Sequence, residues 1–72
     1  MARTSLQQKL GKKIQALRKD VGITQEKLAE RTGLDRTYIS DIERGVRNPS
    51  LKSLQKLADA LHTSLSDLTK FS

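Results

Sequence analysis

Apolar residues recur along this chain at three- and four-residue spacing, and no segment alternates apolar with polar as a half-buried strand does. Leu6, Leu10, Ile14, Leu17 and Val21 step by four, four, three and four, which predicts one face of a first helix. Gly22 is placed to end that helix in a left-handed conformation. Thr24 then stands as an N-cap with Glu26 in the first turn. The second helix runs through "QEKLAERT", with Leu28, Ala29 and Thr32 inward and Gly33 at its end. Asp35 caps a third helix, "RTYISDIER", whose inward positions are Ile39 and Ile42 and which Gly45 terminates. Pro49 disfavours helix at Asn48, so Ser50 is the N-cap of a fourth helix with the apolar line Leu51, Leu54, Leu57, Ala58 and Leu61. A last short helix is expected from Ser64, where Asp67 forms a loose capping box and Leu65, Leu68 and Phe71 make the apolar side. The expectation is an all-α, compact single domain of five short helices.

Composition changes that picture in two ways. A chain of 72 residues buries only about 60% of the surface its unfolded form exposes. It therefore depends on close helix packing, a metal, disulfides or a partner chain. There is no cysteine and only one histidine, His62, so disulfides and thiolate or imidazole metal sites drop out and no cofactor is expected. A second copy of the chain is the remaining aid. The net charge of +6 favours an anionic partner such as nucleic acid. The sequence has neither the ~20-residue apolar run of a membrane span nor a signal peptide at its start, and a cytoplasmic protein is expected. Catalysis has no constellation to rest on: no cysteine, no glycine-rich phosphate loop and no metal-ligand spacing.

The second and third helices are separated by so few residues that they must cross steeply. Such a crossing needs a small residue where the second helix approaches, a glycine at the positive φ of the turn, and apolar residues to hold the pair. Ala29, Gly33, and Leu28, Leu34, Ile39 and Ile42 supply these at consistent spacing. Residues 25–44 therefore form a helix-turn-helix pattern. The plainer alternative is an αα-corner in a helical bundle, and the basic charge with the polar outer face of the third helix argues against it.

The stretch "GITQEKLAERTGLDRTYISDIERGVRNPSLKSLQKLADAL" resembles the Cro/repressor-type helix-turn-helix regulators of phage and bacteria. The similarity extends from about residue 10 to 68. Within that family "LDRTYIS", "IERG" and "RN", spaced as they are over residues 34–48, are especially similar to the small controller proteins of restriction–modification systems. The resemblance implies a lambda-repressor-like fold, a dimer, and binding to double-stranded DNA operators. It also implies that Gln25 bonds the DNA backbone and that Arg18 pairs with Glu43, tying the first helix to the third. Two departures are mild. Thr32 stands where a larger apolar residue is commoner, and His62 where a glycine often ends the fourth helix.

At 100° per residue, Thr37, Ser40, Asp41 and Arg44 point away from Ile39 and Ile42, with Arg36 and Tyr38 on the flanks. Arg36, in the first turn, is suited to bond guanine O6 and N7 bidentately. Thr37, Tyr38 and Ser40 complete the candidate base-reading set. Arg44, Arg47, Asn48 and Lys52, with Gln25, are candidate backbone contacts, which position a protein where base contacts specify its site. Of the acids, Asp35 is a cap and Glu43 lies on the core-side flank. Asp41 alone faces the reading side, where it either accepts from cytosine N4 or restrains Arg44 or Thr37 locally.

Leu65, Leu68 and Phe71 are the candidate dimer face, which a two-half-site operator would require; the same residues alternatively cover the monomer core. Glu26 and Glu30 lie one turn apart on the second helix. In some members of the resembling family acids here touch RNA polymerase, while solvation and local pairing is the plainer reading. Two other functions compete: an antitoxin-type protein-binding regulator, and an RNA-binding module, the latter weakened by having only Tyr38 and Phe71 as aromatics.

Overall fold

A computed structural model describes residues 6–70. Over these the chain is all-α: α1 (Leu6–Val21), α2 (Gln25–Thr32), α3 (Arg36–Glu43), α4 (Leu51–Ala60) and α5 (Leu65–Leu68). The predicted caps explain why the breaks fall where they do. Thr24 Oγ1 accepts from the Lys27 N–H at 3.0 Å, Asp35 Oδ1 from Thr37 at 2.7 Å, Ser50 Oγ from Ser53 at 3.0 Å and Ser64 Oγ from Asp67 at 3.0 Å. Each satisfies an N–H that has no partner within its own helix. Gly33 takes φ 77° and its N–H returns to Ala29 O. His62 holds φ 59°, and beyond it the Thr63 N–H closes onto Ala58 O at 2.9 Å.

Thr32 has its own reason to replace an apolar residue. Its hydroxyl donates to Leu28 O at 2.8 Å and accepts from the Leu34 N–H at 3.2 Å. The buried side chain therefore pins the end of α2 to the turn that leads into α3.

Nine buried apolar residues form one core: Leu10, Ile14, Leu28, Ile39, Ile42, Leu57, Ala58, Leu61 and Leu68. Helix α1 packs on α3 and α5, α2 on α3 and α4, and α4 on α5. Three expectations need correction. Leu6 and Leu51 continue their helices' apolar lines, yet each is 69% exposed, because each stands at the first residue of its helix, beyond the neighbours that cover the rest. Leu68 is wholly buried; it belongs to the monomer core and offers nothing to a second copy. Leu65 is half-buried, and Phe71 lies outside the described residues.

One close approach sets the α1–α3 packing. A Cβ at Gly11 would lie 2.3 Å from Ile42 O and 2.8 Å from Glu43 O. Only a bare backbone allows α1 to rest on the carboxyl end of α3. Two helical turns further along the same face of α1, Arg18 reaches Glu43. Its Nε donates to Oε2 at 2.7 Å and its Nη2 to Oε1 at 3.1 Å. A third bond, from Arg18 Nη1 to Ile23 O at 2.8 Å, draws in the α1–α2 loop. The Glu43 side chain is 1% exposed and that of Arg18 11%. The pair that the family resemblance implied is thus formed, forked and buried.

Two stability measurements follow from this geometry. Alanine normally improves a helix interior over glycine by up to about 1 kcal/mol, but Gly11→Ala is expected to destabilise by about 2 kcal/mol or more, measured by urea unfolding. A gain in stability would show that α1 does not sit this close to α3. Arg18→Ala leaves the Glu43 carboxylate buried without its charge partner and is expected to cost about 3–5 kcal/mol in the same assay; a loss under about 1 kcal/mol would place the pair in water.

Candidate nucleic-acid interface

The short loop between α2 and α3 and the caps at Thr24 and Asp35 bring the amino ends of both helices to one side of the molecule. There Gln25, first residue of α2, is held between two partners. Its Nε2 donates to Glu43 Oε1 at 3.0 Å, and its Oε1 accepts a long bond from Arg36 Nη1 at 3.5 Å. A chain of polar contacts therefore runs from Arg18 through Glu43 and Gln25 to Arg36, from the core to the outer face. Arg18, Thr24, Gln25, Glu26 and Arg36 surround an open recess of about 480 Å³. Arg18 is already engaged by Glu43 and Ile23, so beside the Glu26 carboxylate the recess presents the Arg36 guanidinium, the Gln25 amide and the start of α2, where helix N–H groups and the macrodipole favour an anion.

The outward residues of α3 fall as the helical period places them. Arg36, Thr37 and Arg44 are exposed, while Tyr38, Ser40 and Asp41 are half-buried. Asp41 is bound locally: its carboxylate accepts from Arg44 Nη2, one turn on. In the loop between α3 and α4, Arg47 and Asn48 are exposed, as is Lys52 in the first turn of α4. All the candidate contacts from Gln25 to Asn48 thus belong to α2, α3 and the loop that follows.

Tyr38 departs from the simple picture of a free polar tip. Its hydroxyl donates to Ser53 Oγ at 3.2 Å and accepts from the Ser50 N–H at 3.2 Å. Ser50 Oγ completes a hydroxyl cluster by donating to Ser53 Oγ at 3.0 Å. The phenol is thus moored to the start of α4, and Arg47 Cζ lies over the ring 4.9 Å from its centroid, within cation–π range. Burial raises the phenol's pKa, but its hydrogen-bond contacts with Ser53 and Ser50 together with the Arg47 charge outweigh it and hold the group below the ordinary tyrosine value.

Two participants were not anticipated. Ser53 is a buried hydroxyl with the sequence appearance of a surface position on a helix. Gln25, expected to face DNA, also braces Glu43 from inside. On the outer face of α2, Glu30 pairs with Lys27 at 2.8 Å, and the hydrogen bond and charge of Lys27 lower its pKa.

The chain has one tyrosine and no tryptophan, so absorbance at 295 nm follows the Tyr38 phenol alone. It is expected to titrate below the ordinary tyrosine value, and Ser53→Ala is expected to move it upward. An ordinary midpoint that Ser53→Ala leaves in place would mean that the hydroxyl cluster does not form in solution.

Comparison with known proteins agrees with this geometry. The helix-turn-helix family model HTH_3 matches residues 14–68. The control protein C.BamHI of Bacillus amyloliquefaciens is 47% identical over 62 residues, which cover 85% of this chain and 76% of that protein. The immunity repressor protein of Bacillus phage phi105 is 46% identical over 57 residues, 79% of this chain. The match spans only 40% of the repressor's length. Among solved structures, the restriction–modification controller protein C.AhdI from Aeromonas hydrophila superposes with a TM-score of 0.84 at 44% identity, over 86% of this chain and 94% of that one. The antitoxin reading draws no support from these relatives. The chain belongs to the helix-turn-helix family and is a DNA-binding regulator closely related to restriction–modification controller proteins.

Proposed function

We propose that this protein binds double-stranded operator DNA as a homodimer, each copy laying α3 in the major groove of one half-site. The observation that carries this reading is the exposed, hydrogen-bonding face of α3 beside the recess at the start of α2, both backed by the Arg18–Glu43–Gln25 contacts. In this reading Arg36 and Thr37 reach base edges. Ser40 lies deeper in the groove, and the moored ring of Tyr38 offers an apolar edge to a thymine methyl. Gln25, with the free N–H groups of α2, takes one phosphate. Arg47, Asn48 and Lys52 take the backbone on the other flank, and Arg44 supplies a further cation.

A single unit contacts one half-site and binds weakly; a twofold dimer reads two half-sites about one helical turn apart. With Leu68 withdrawn into the core, Leu65 remains as the described apolar contribution of α5 to such a pairing. The controller proteins among the relatives support regulation of transcription beside a restriction–modification system. Contact of Glu26 and Glu30 with RNA polymerase would belong to activation, and the Lys27–Glu30 pair leaves Glu26 the freer of the two.

Selection from random double-stranded DNA tests the reading directly, with enrichment of a two-half-site sequence expected. On the selected duplex, Arg36→Ala is expected to lose about 1–3 kcal/mol of discrimination at one base position per half-site. Arg47→Ala is expected to weaken binding to all sequences and to flatten the salt dependence by about one unit of slope for each copy bound. Uniform weakening by Arg36→Ala would reassign it to the backbone. Sedimentation at micromolar concentration is expected to show a dimer, and a monomer there, free and on DNA, would remove the two-copy reading.

A further inference from the structure

The charge least expected on a DNA-reading surface is Asp41. Its side chain is 23% exposed, and its carboxylate bonds Arg44, whose own side chain is 64% exposed. Asp41 also lines an open recess of about 290 Å³ with Asp35, Thr37, Tyr38 and Arg47. It therefore lies among candidate base-reading residues, while its partner reaches outward from the end of the same helix.

Bringing this face to DNA sets up a competition. An exposed ion pair between residues three apart is weak, and phosphates are abundant, charge-dense acceptors for a guanidinium. If Arg44 moves to a phosphate, the Asp41 carboxylate is left in a groove from which water is being expelled. It then needs a donor. Cytosine N4 and adenine N6 are donors in the major groove, whereas guanine O6 and N7 and thymine O4 only accept. Opposite an acceptor the carboxylate is both unpaired and repelled.

We propose that Asp41 and Arg44 form an exchangeable pair that makes one phosphate contact conditional on sequence. Arg44 passes to the DNA backbone where Asp41 gains a base amino group, and stays on Asp41 where it does not. This deepens the operator-binding reading and rests on it. The consequence is that non-operator DNA receives one cation fewer from each copy of the protein, so the carboxylate improves discrimination by withholding affinity. Asp41 is in this sense a specificity-determining residue, and Arg44 the group through which it acts on the backbone.

The test compares the wild type, Asp41→Asn, Arg44→Gln and the double variant. Each is titrated with a random-sequence duplex at several salt concentrations, and the wild type and Asp41→Ala are passed through selection from random double-stranded DNA. Asp41→Asn is expected to bind the random duplex about two- to fivefold more tightly, with a salt slope steeper by about 0.9 for each copy bound. Asp41→Ala, which has no side-chain acceptor, is expected to lose the preference for an amino-bearing base at one position of each half-site. In the Arg44→Gln background the gain on random DNA is expected to vanish. An unchanged base preference overturns the proposal, as does a gain that survives undiminished in Arg44→Gln, which would reduce Asp41 to simple repulsion. A wild type that enriches no sequence at all is a different failure: it overturns the operator reading itself and this exchange with it.

Discussion

The buried carboxylate of Glu43 is the point from which the candidate DNA-facing side of this molecule is held. It accepts two bonds from Arg18 on α1 and one from Gln25 on α2, while itself standing at the end of α3. Three helices thus meet at one charged group whose side chain is almost wholly removed from water. Such a pair adds little net stability compared with a well-packed apolar substitute, because both ions are desolvated. Its distinguishing property is that it permits few arrangements. Apolar burial is non-directional; a forked, triply bonded carboxylate constrains the rotation of α3 about its axis. Fixing that rotation decides which side chains of a two-turn helix face outward, and the candidate reading surface consists largely of these.

That anchor can form only because α1 lies close to α3, and the closeness comes from Gly11. The two features are separated by two turns on one face of α1, so a displacement at one moves the other. A methyl group at Gly11 would lift α1 off the Ile42 and Glu43 carbonyls and draw the Arg18 guanidinium away from its carboxylate. Packing and electrostatics here are one constraint expressed twice.

Much of this architecture was legible in the sequence, because its causes are local. Thr24, Asp35, Ser50 and Ser64 each bond an N–H two or three residues on, so a capping residue before an apolar period is sufficient to place a helix start. What the sequence left unread or open depends on what stands opposite a residue in the fold. Gly11 is explained by carbonyls at Ile42 and Glu43, and a lone helical glycine carries no mark of what approaches it, although its place beside the Leu10–Ile14 stripe was a usable sign. Ser53 is buried because a tyrosine fifteen residues earlier lays its hydroxyl there, and serine on a helix ordinarily faces water. Leu6 and Leu51 obey the period and are still exposed, since periodicity gives the direction of a side chain and not whether anything stands opposite it. Leu68 had two readings, core or partner, that no pattern on a four-residue helix separates.

The candidate interface divides into side chains held before DNA arrives and side chains left free. Tyr38 is moored through its hydroxyl with Arg47 against its ring, and Gln25 is fixed at both ends of its amide. Ordering a long side chain on binding costs about 0.5–1.5 kcal/mol, so groups already in place save part of that cost and favour close approach irrespective of base sequence. Arg36, at the end of a long 3.5 Å contact to Gln25, is held only loosely and retains the freedom to seek a base edge. Gln25 lies beside the recess at α2 and Arg47 in the loop after α3, while the moored Tyr38 and the looser Arg36 both stand in the first turn of α3. The candidate interface thus joins a held ring and a held amide to a less constrained arginine. In the operator-binding reading, the held groups would fix the register from which Arg36 reaches a base edge.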